Sequence, residues 1–187
     1  MQHLWCTVKL TKDKNVYTTQ LAVVADPRSK HSVEDRKAQM ALLMKVFDLL
    51  ESMTFTVDQI NGVRSALEDR AGKLGTDDQL ARRLKVLSEE ADGFRRKIVA
   101  TKEGGMITGE ERLREFAANL YGSLNGYEGR PSQTQIERSD ALTKELADVS
   151  NGFKSWCDKQ FSTVNSALST KKLKPIELLT KEAWEKK

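Results

Sequence analysis

Two cysteines, three prolines and two histidines are all that 187 residues contain of those types, and aromatic residues make up only 6%. Cys6 and Cys157 are too few and too far apart in sequence for a zinc site or a disulfide framework. Packed free thiols are the expectation, and pairing would require the fold to bring the N-terminal strand against the last long helix. His3 and His31 lie in the N-terminal region, neither beside a candidate nucleophile, which leaves acid–base chemistry little to build on. Three prolines and eleven glycines are too few for a turn-rich β-sandwich or a linker. No apolar run approaches the roughly 20 residues of a membrane span, and residues 1–10 contain no apolar export core. The opening Met-Gln-His-Leu-Trp-Cys is extended in character and reads as cut from a longer protein.

What is present is an ordinary globular balance of 39% hydrophobic and 31% charged residues. A chain of this length removes roughly 70% of its unfolded surface on folding, so stability needs neither metal nor disulfide. Thirty-one basic against twenty-seven acidic residues give a net charge of +4 with the signs interspersed, a weak basis for a polyanion partner. No nucleic acid is expected.

Period two marks the first segment. Cys6, Val8 and Leu10 fall on one side and Thr7, Lys9 and Thr11 on the other; a polar turn follows at 12–15, then a second run over 16–25. Asp26-Pro27 ends this β-hairpin, because the residue before proline prefers extended geometry and proline donates no ladder bond. Two strands alone are marginal in water, so the hairpin needs a surface to lie on.

From Ser32, a plausible N-cap, the period becomes helical. Met40, Leu43, Phe47 and Leu50 mark a first helix ending near Met53, and Ile60, Val63, Leu67, Ala71 and Leu74 a second that stops at Gly75. Leu80, Leu84, Leu87, Ala91, Phe94 and Ile98 define a third after Asp77. Thr108 and Glu111 form a capping-box pattern for a fourth, with Leu113, Phe116, Leu120 and Leu124 inward, ending at Gly126. Ser132 and Gln135 open a fifth, along which Leu142, Leu146, Phe153, Trp156, Val164 and Leu168 share a face over roughly 35 residues, about 50 Å. Pro175 forbids its continuation, yet Ile176, Leu178, Leu179 and Trp184 keep the tail apolar enough to dock. The expected fold is mainly α: an antiparallel up-and-down bundle of about five helices, the last one long, preceded by a short N-terminal β-hairpin. Residues 1–28 form the hairpin and 29–187 the bundle with its docked tail.

Motifs for chemistry are scarce. Residues 71–76, Ala-Gly-Lys-Leu-Gly-Thr, have phosphate-loop residue types in the wrong order and close a helix where a P-loop opens one. Gly104-Gly105 follows no buried strand, which removes a Rossmann reading. Arg82, Arg83 and Lys85, then Arg95, Arg96 and Lys97, are interrupted by Glu89, Glu90 and Asp92, the mixed charge of a solvated helix face. Phe47, Phe94, Phe153 and Trp156 at helical spacing read as core. No catalytic, cofactor-binding or metal residue is assigned; Trp5, Tyr17 and Trp184 are the candidate interface residues, because aromatics left exposed mark a surface another chain covers. An alternative is a carbohydrate- or peptide-binding helical module using exposed aromatics.

Thr7-Val8-Lys9-Leu10-Thr11 and the run 17–28, Tyr-Thr-Thr-Gln-Leu-Ala-Val-Val-Ala-Asp-Pro-Arg, resemble the end of the immunoglobulin-like module in bacterial BNR-repeat (Asp-box) glycosyl hydrolase-like proteins, whose β-propellers resemble that of sortilin. Residues 39–48, Leu120-Tyr121-Gly122, Pro131 to Gln135 and Leu173-Lys174-Pro175-Ile176 are similar, in order, to later segments of that family. The resemblance implies that the hairpin is the remnant of a preceding β-sandwich module. By the same resemblance the chain is a non-catalytic C-terminal accessory domain of an exported protein, periplasmic, cell-surface or secreted. It would pack on the parent's propeller or another chain, with a homodimer through the hairpin edge when isolated. No hydrolase residue carries over, since glycoside hydrolysis needs two opposed carboxyl groups in a cleft and the acids here look scattered along solvent faces.

Overall fold

Alternating Val, Thr, Tyr and Leu build β1 (Leu4–Lys12) and β2 (Asn15–Val23), residue types that suit a pleated surface. They pair antiparallel from Leu4 opposite Val23 to Lys12 opposite Asn15. Asp13 and Lys14 make the turn, and Asp13 takes a left-handed φ of 55°, a conformation aspartate tolerates far better than a β-branched residue. Beyond β2, Asp26-Pro27-Arg28 locks itself. The Arg28 guanidinium donates to the Asp26 carboxylate at 2.8 and 3.1 Å and its backbone N–H donates at 2.9 Å, together holding the Asp26 carboxyl below its usual range. The computed structural model describes residues 4–24, 26–75, 77–102 and 109–186. It divides into two compact units, 1–32 and 33–187.

The second unit holds α1 (Val33–Gly72), α2 (Gln79–Ile98), α3 (Leu113–Asn125), α4 (Gln133–Thr170) and the single turn α5 (Lys181–Trp184). The mainly helical bundle behind an N-terminal hairpin is the expected architecture. Its parts differ in three places. The first two expected helices are one rod, α1, of 40 residues. Thr54, Phe55, Thr56 and Val57 lower helix propensity but do not stop a helix, and the hydroxyls of Thr54 and Thr56 bond back to the carbonyls of Leu50 and Ser52. The inward stripe is also rotated by one residue: Leu42, Val46, Leu49 and Met53 are buried, whereas Met40 and Phe47 are exposed and Leu43 and Leu50 only flank the core. Both stripes fit a 3.6-residue period, but only 42-46-49-53 continues without a break into Thr56, Ile60, Val63 and Leu67. Finally, α3 begins at Leu113, where Glu115 accepts from the backbone N–H of Arg112 at 3.0 Å; Thr108 of the expected capping box lies outside the described residues.

The other termini follow their sequence signals. Asp78 caps α2 through Leu80 N–H, and Ser132 with Gln135 forms the capping box of α4. Arg95, Arg96 and Lys97 occupy the last turn of α2, where positive charge favours the helix dipole.

Pairs across the helices reveal their directions. Glu68 accepts from Ser88 and Arg64 pairs with Asp92, so residue numbers rise on α1 as they fall on α2. Gln39 of α1 donates to the carbonyls of Leu124 and Tyr127 and accepts from Gly129 N–H, which puts the end of α3 beside the start of α1. On α4, Asp140 pairs with Lys45 and Ser150 meets Thr56, the numbers advancing together. Three rods result: α1 up, α2 then α3 down, and α4 up, so α1 and α4 are parallel.

The tail reverses where Lys172 takes a φ of 56° and runs back along the seam between α1 and α4. Arg70 donates to the carbonyls of Lys174 and Pro175 at 3.2 and 3.1 Å. Asn165 accepts from Ile176 N–H at 2.8 Å and donates to its carbonyl at 3.0 Å, and Gln59 donates to the Leu179 carbonyl at 2.6 Å. Ile176 is buried beneath this strap. Trp184 then sets its ring edge against Phe55 at 5.5 Å between centroids, with its indole N–H on Asp58.

Candidate interaction surface

Residues directly opposite in an antiparallel pair share a face. The register therefore puts Cys6, Val8, Leu10, Tyr17, Leu21 and Val23 on one side of the hairpin, interrupted by Thr19 and ending in the polar pair Lys12 and Asn15 at the turn. Thr7, Lys9, Thr11, Thr18 and Gln20 lie on the other, together with the exposed Val16 near the turn and Trp5 and Ala22 at its far end. Such a division belongs to a sheet with one buried and one solvated face. Here the apolar face is open: Leu10, Tyr17 and Leu21 keep 63%, 57% and 56% of their surface exposed. Of the sequence-derived interface residues, Tyr17 lies within this face. Trp5 is exposed on the polar side, and Trp184 is half-buried against Phe55 on the bundle. Leu10, Leu21 and Val23 escaped selection: the alternation was visible, but a turn was expected over 12–15, and it is the shorter turn at Asp13-Lys14, with Lys12 and Asn15 paired, that aligns the strands.

Within the bundle, several carboxylates are held by structural partners. Asp92 is not on a solvent face: its side chain is 3% exposed. Burial pushes its carboxyl up, but Arg95 and Arg96 hydrogen-bond it and Arg64 approaches at 3.0 Å, so the net effect holds it below its usual value and ionised. Glu110 accepts from the backbone N–H of Thr101 and from Arg112, which lowers it to about 2. Glu90 accepts the indole N–H of Trp156 at 2.9 Å. Asp92 and Glu110, held this low, do not serve as proton donors near neutrality. Among the described residues no cluster of three His, Cys, Asp or Glu side chains is placed to hold a metal ion. His3, Gly104 and Gly105 lie outside the described residues.

Both cysteines are free. Cys157 is fully buried, and burial with the neighbouring Asp158 charge pushes its thiol up to about 12; Cys6 is partly open on the hairpin. A thiol reagent at pH 8 is therefore expected to modify Cys6 and spare Cys157 in the native chain, and to reach both in denaturant. Mass spectrometry of the labelled peptides checks this, and rapid native labelling of Cys157 would contradict its burial.

Of the aromatics read as core, Phe153 is buried, Phe94 and Trp156 are half-buried against it, and Phe47 is not core. Phe94 and Phe153 meet edge-on at 5.6 Å and Trp156 stacks on Phe153 at 6.0 Å, whereas Phe47 is exposed on α1. Phe153 also floors a groove of about 850 Å³ between α1 and α4, walled by Met44, Asp48, Ala147 and Asn151 and closed at one end by Leu178 of the tail. Of the expected inward residues of the first helix, Met40, Leu43, Phe47 and Leu50, none lines this groove. No described helix is long and apolar enough to cross a membrane. No protein-family model, curated protein or solved structure matches the chain.

Proposed function

We propose that the chain is a non-catalytic interaction domain whose hairpin completes a β-module, the apolar side of β1 and β2 being the seat of strands supplied by the rest of a longer protein. The observation that carries this reading is the uncovered face formed by Val8, Leu10, Tyr17, Leu21 and Val23, in a two-stranded sheet too small to be stable unsupported. The ordered segments between residues 7 and 176 that resemble the C-terminal region of exported BNR-repeat, glycosyl hydrolase-like proteins name the kind of parent: a β-propeller protein, periplasmic, cell-surface or secreted. On this reading any sugar chemistry belongs to that parent, and the present residues hold the domain in place.

Expressed alone, the chain leaves both hairpin edges and the apolar face unpaired, and strand addition between copies satisfies them. Light scattering is expected to show a concentration-dependent dimer that the double substitution Leu10→Lys, Leu21→Lys converts to a 21.1 kDa monomer with unchanged helical circular dichroism. A wild-type chain that stays monomeric at millimolar concentration opposes this pairing. In a longer chain carrying a preceding β-module, hairpin amides are expected to exchange at least about a hundredfold more slowly than in the isolated chain. Equal exchange in both removes the reading.

Of the three tryptophans, the carbohydrate-binding alternative keeps Trp5, which is exposed beside Thr7 and Gln20 on the polar side. Trp156 and Trp184 spend their indole N–H groups inside the bundle.

A further inference from the structure

We propose that the open half of the seam between α1 and α4 is a docking groove for an extended, apolar peptide segment of a partner protein, laid end to end with the chain's own tail. This concerns the helical unit and stands apart from the hairpin reading.

The seam is one channel between two parallel rods, and the tail already fills half of it. There the occupant is extended backbone, its apolar Ile176 inserted and its carbonyls and N–H taken by side chains from both walls: Arg70 and Gln59 on α1, Asn165 on α4. Past Leu178 the channel continues unfilled over a floor of Leu49, Leu146 and Phe153. From Ala41 to Ser52 it runs about 17 Å at 1.5 Å per residue, room for about five extended residues at ~3.3 Å each.

Counterparts of these hooks line the groove, Asp48 in its open half and Asn151, next to the Ser150 that meets Thr56, at the junction with the tail. Asp48 precedes Gln59 on α1 by about three helical turns and Asn151 precedes Asn165 on α4 by about four, which returns each to the wall from which its counterpart grips the tail. Asp48 and Asn151 both line the groove. Neither side chain has a hydrogen bond or ion pair among the described residues. A carboxylate accepts a backbone N–H, and an amide both donates to a carbonyl and accepts from an N–H, as Asn165 does for Ile176. Met44, 45% exposed, and Ala147 supply apolar walls for the side chains of such a segment. The groove thus offers a partner strand the same combination that the tail receives one step along the seam.

The probe is a fluorescein-labelled heptapeptide with the sequence of residues 173–179, Leu-Lys-Pro-Ile-Glu-Leu-Leu, titrated with the full chain and followed by anisotropy. Saturable binding is expected, lost when its leucines and isoleucine are replaced by serine. Ala147→Trp, which fills the groove from an exposed position, and Met44→Glu are each expected to weaken binding at least about tenfold while helical circular dichroism is unchanged. Absence of saturable binding, equal binding of the serine peptide, or indifference to both substitutions overturns the proposal. So does binding strengthened by Gln59→Ala and untouched by Ala147→Trp, because the peptide would then be replacing the tail. A dimer formed without peptide and abolished by Ala147→Trp would assign the groove to a second copy and overturn it equally.

Discussion

Phe153→Ala is expected to lower the unfolding free energy by about 3–5 kcal/mol, the largest effect of any single substitution considered. The ring is 2% exposed and joins two elements: Phe94 of α2 meets it edge-on, and Trp156, one turn further along α4, stacks on it at an interplanar angle of 17°. Truncation removes the ring's own burial and leaves a cavity that the flanking helices fill only in part. Because Phe153 also floors the α1–α4 groove, the cavity opens toward solvent, and the emission of Trp156 is expected to shift to the red in the folded state. Urea unfolding monitored by circular dichroism measures the loss. A cost below about 1.5 kcal/mol would mean that the ring serves the groove more than the core.

Asp92→Ala is expected to cost about 2–4 kcal/mol, for a different reason. The carboxylate is buried, while its three arginine partners are between 23% and 57% exposed, so removing it leaves cations that partly reach water. Arg64 is the worst placed of them: its Nε is already buried without a partner among the described residues. The pH dependence has a defined sign. A carboxyl held below its unfolded value of 3.8 contributes stability that is complete above that value and is lost as pH falls through the lower, folded value. Wild type and Asp92→Ala should therefore differ fully at pH 7 and converge below about pH 4. A gap that stays constant down to pH 2.5 would assign the cost to packing.

Parts of this architecture are visible in a short window of sequence. The 4-3-4-3-4 spacing of α2, the capping box of Ser132 with Gln135, and the alternation on either side of the hairpin turn depend on residues within one or two turns of each other. The middle of α1 is harder to read, because threonines at 54 and 56 look like a break until their hydroxyls are seen bonded to the preceding turn. Asp92 is harder still. Beside Glu89 and Glu90 it looks like any solvated acid, and only Arg64, on another helix, reveals that it faces inward.

By itself, then, the sequence determined the kinds of element, most of their ends, the alternation of the hairpin and the scarcity of histidine and cysteine. Tertiary structure alone decided which of two apolar stripes of α1 is buried, that α1 and α4 run parallel with a seam between them, and that the tail straps half of that seam. The reason is range: periodicity is set by neighbours a few residues apart, whereas burial and the seam depend on partners as distant in sequence as Glu51 and Lys181, 130 positions apart.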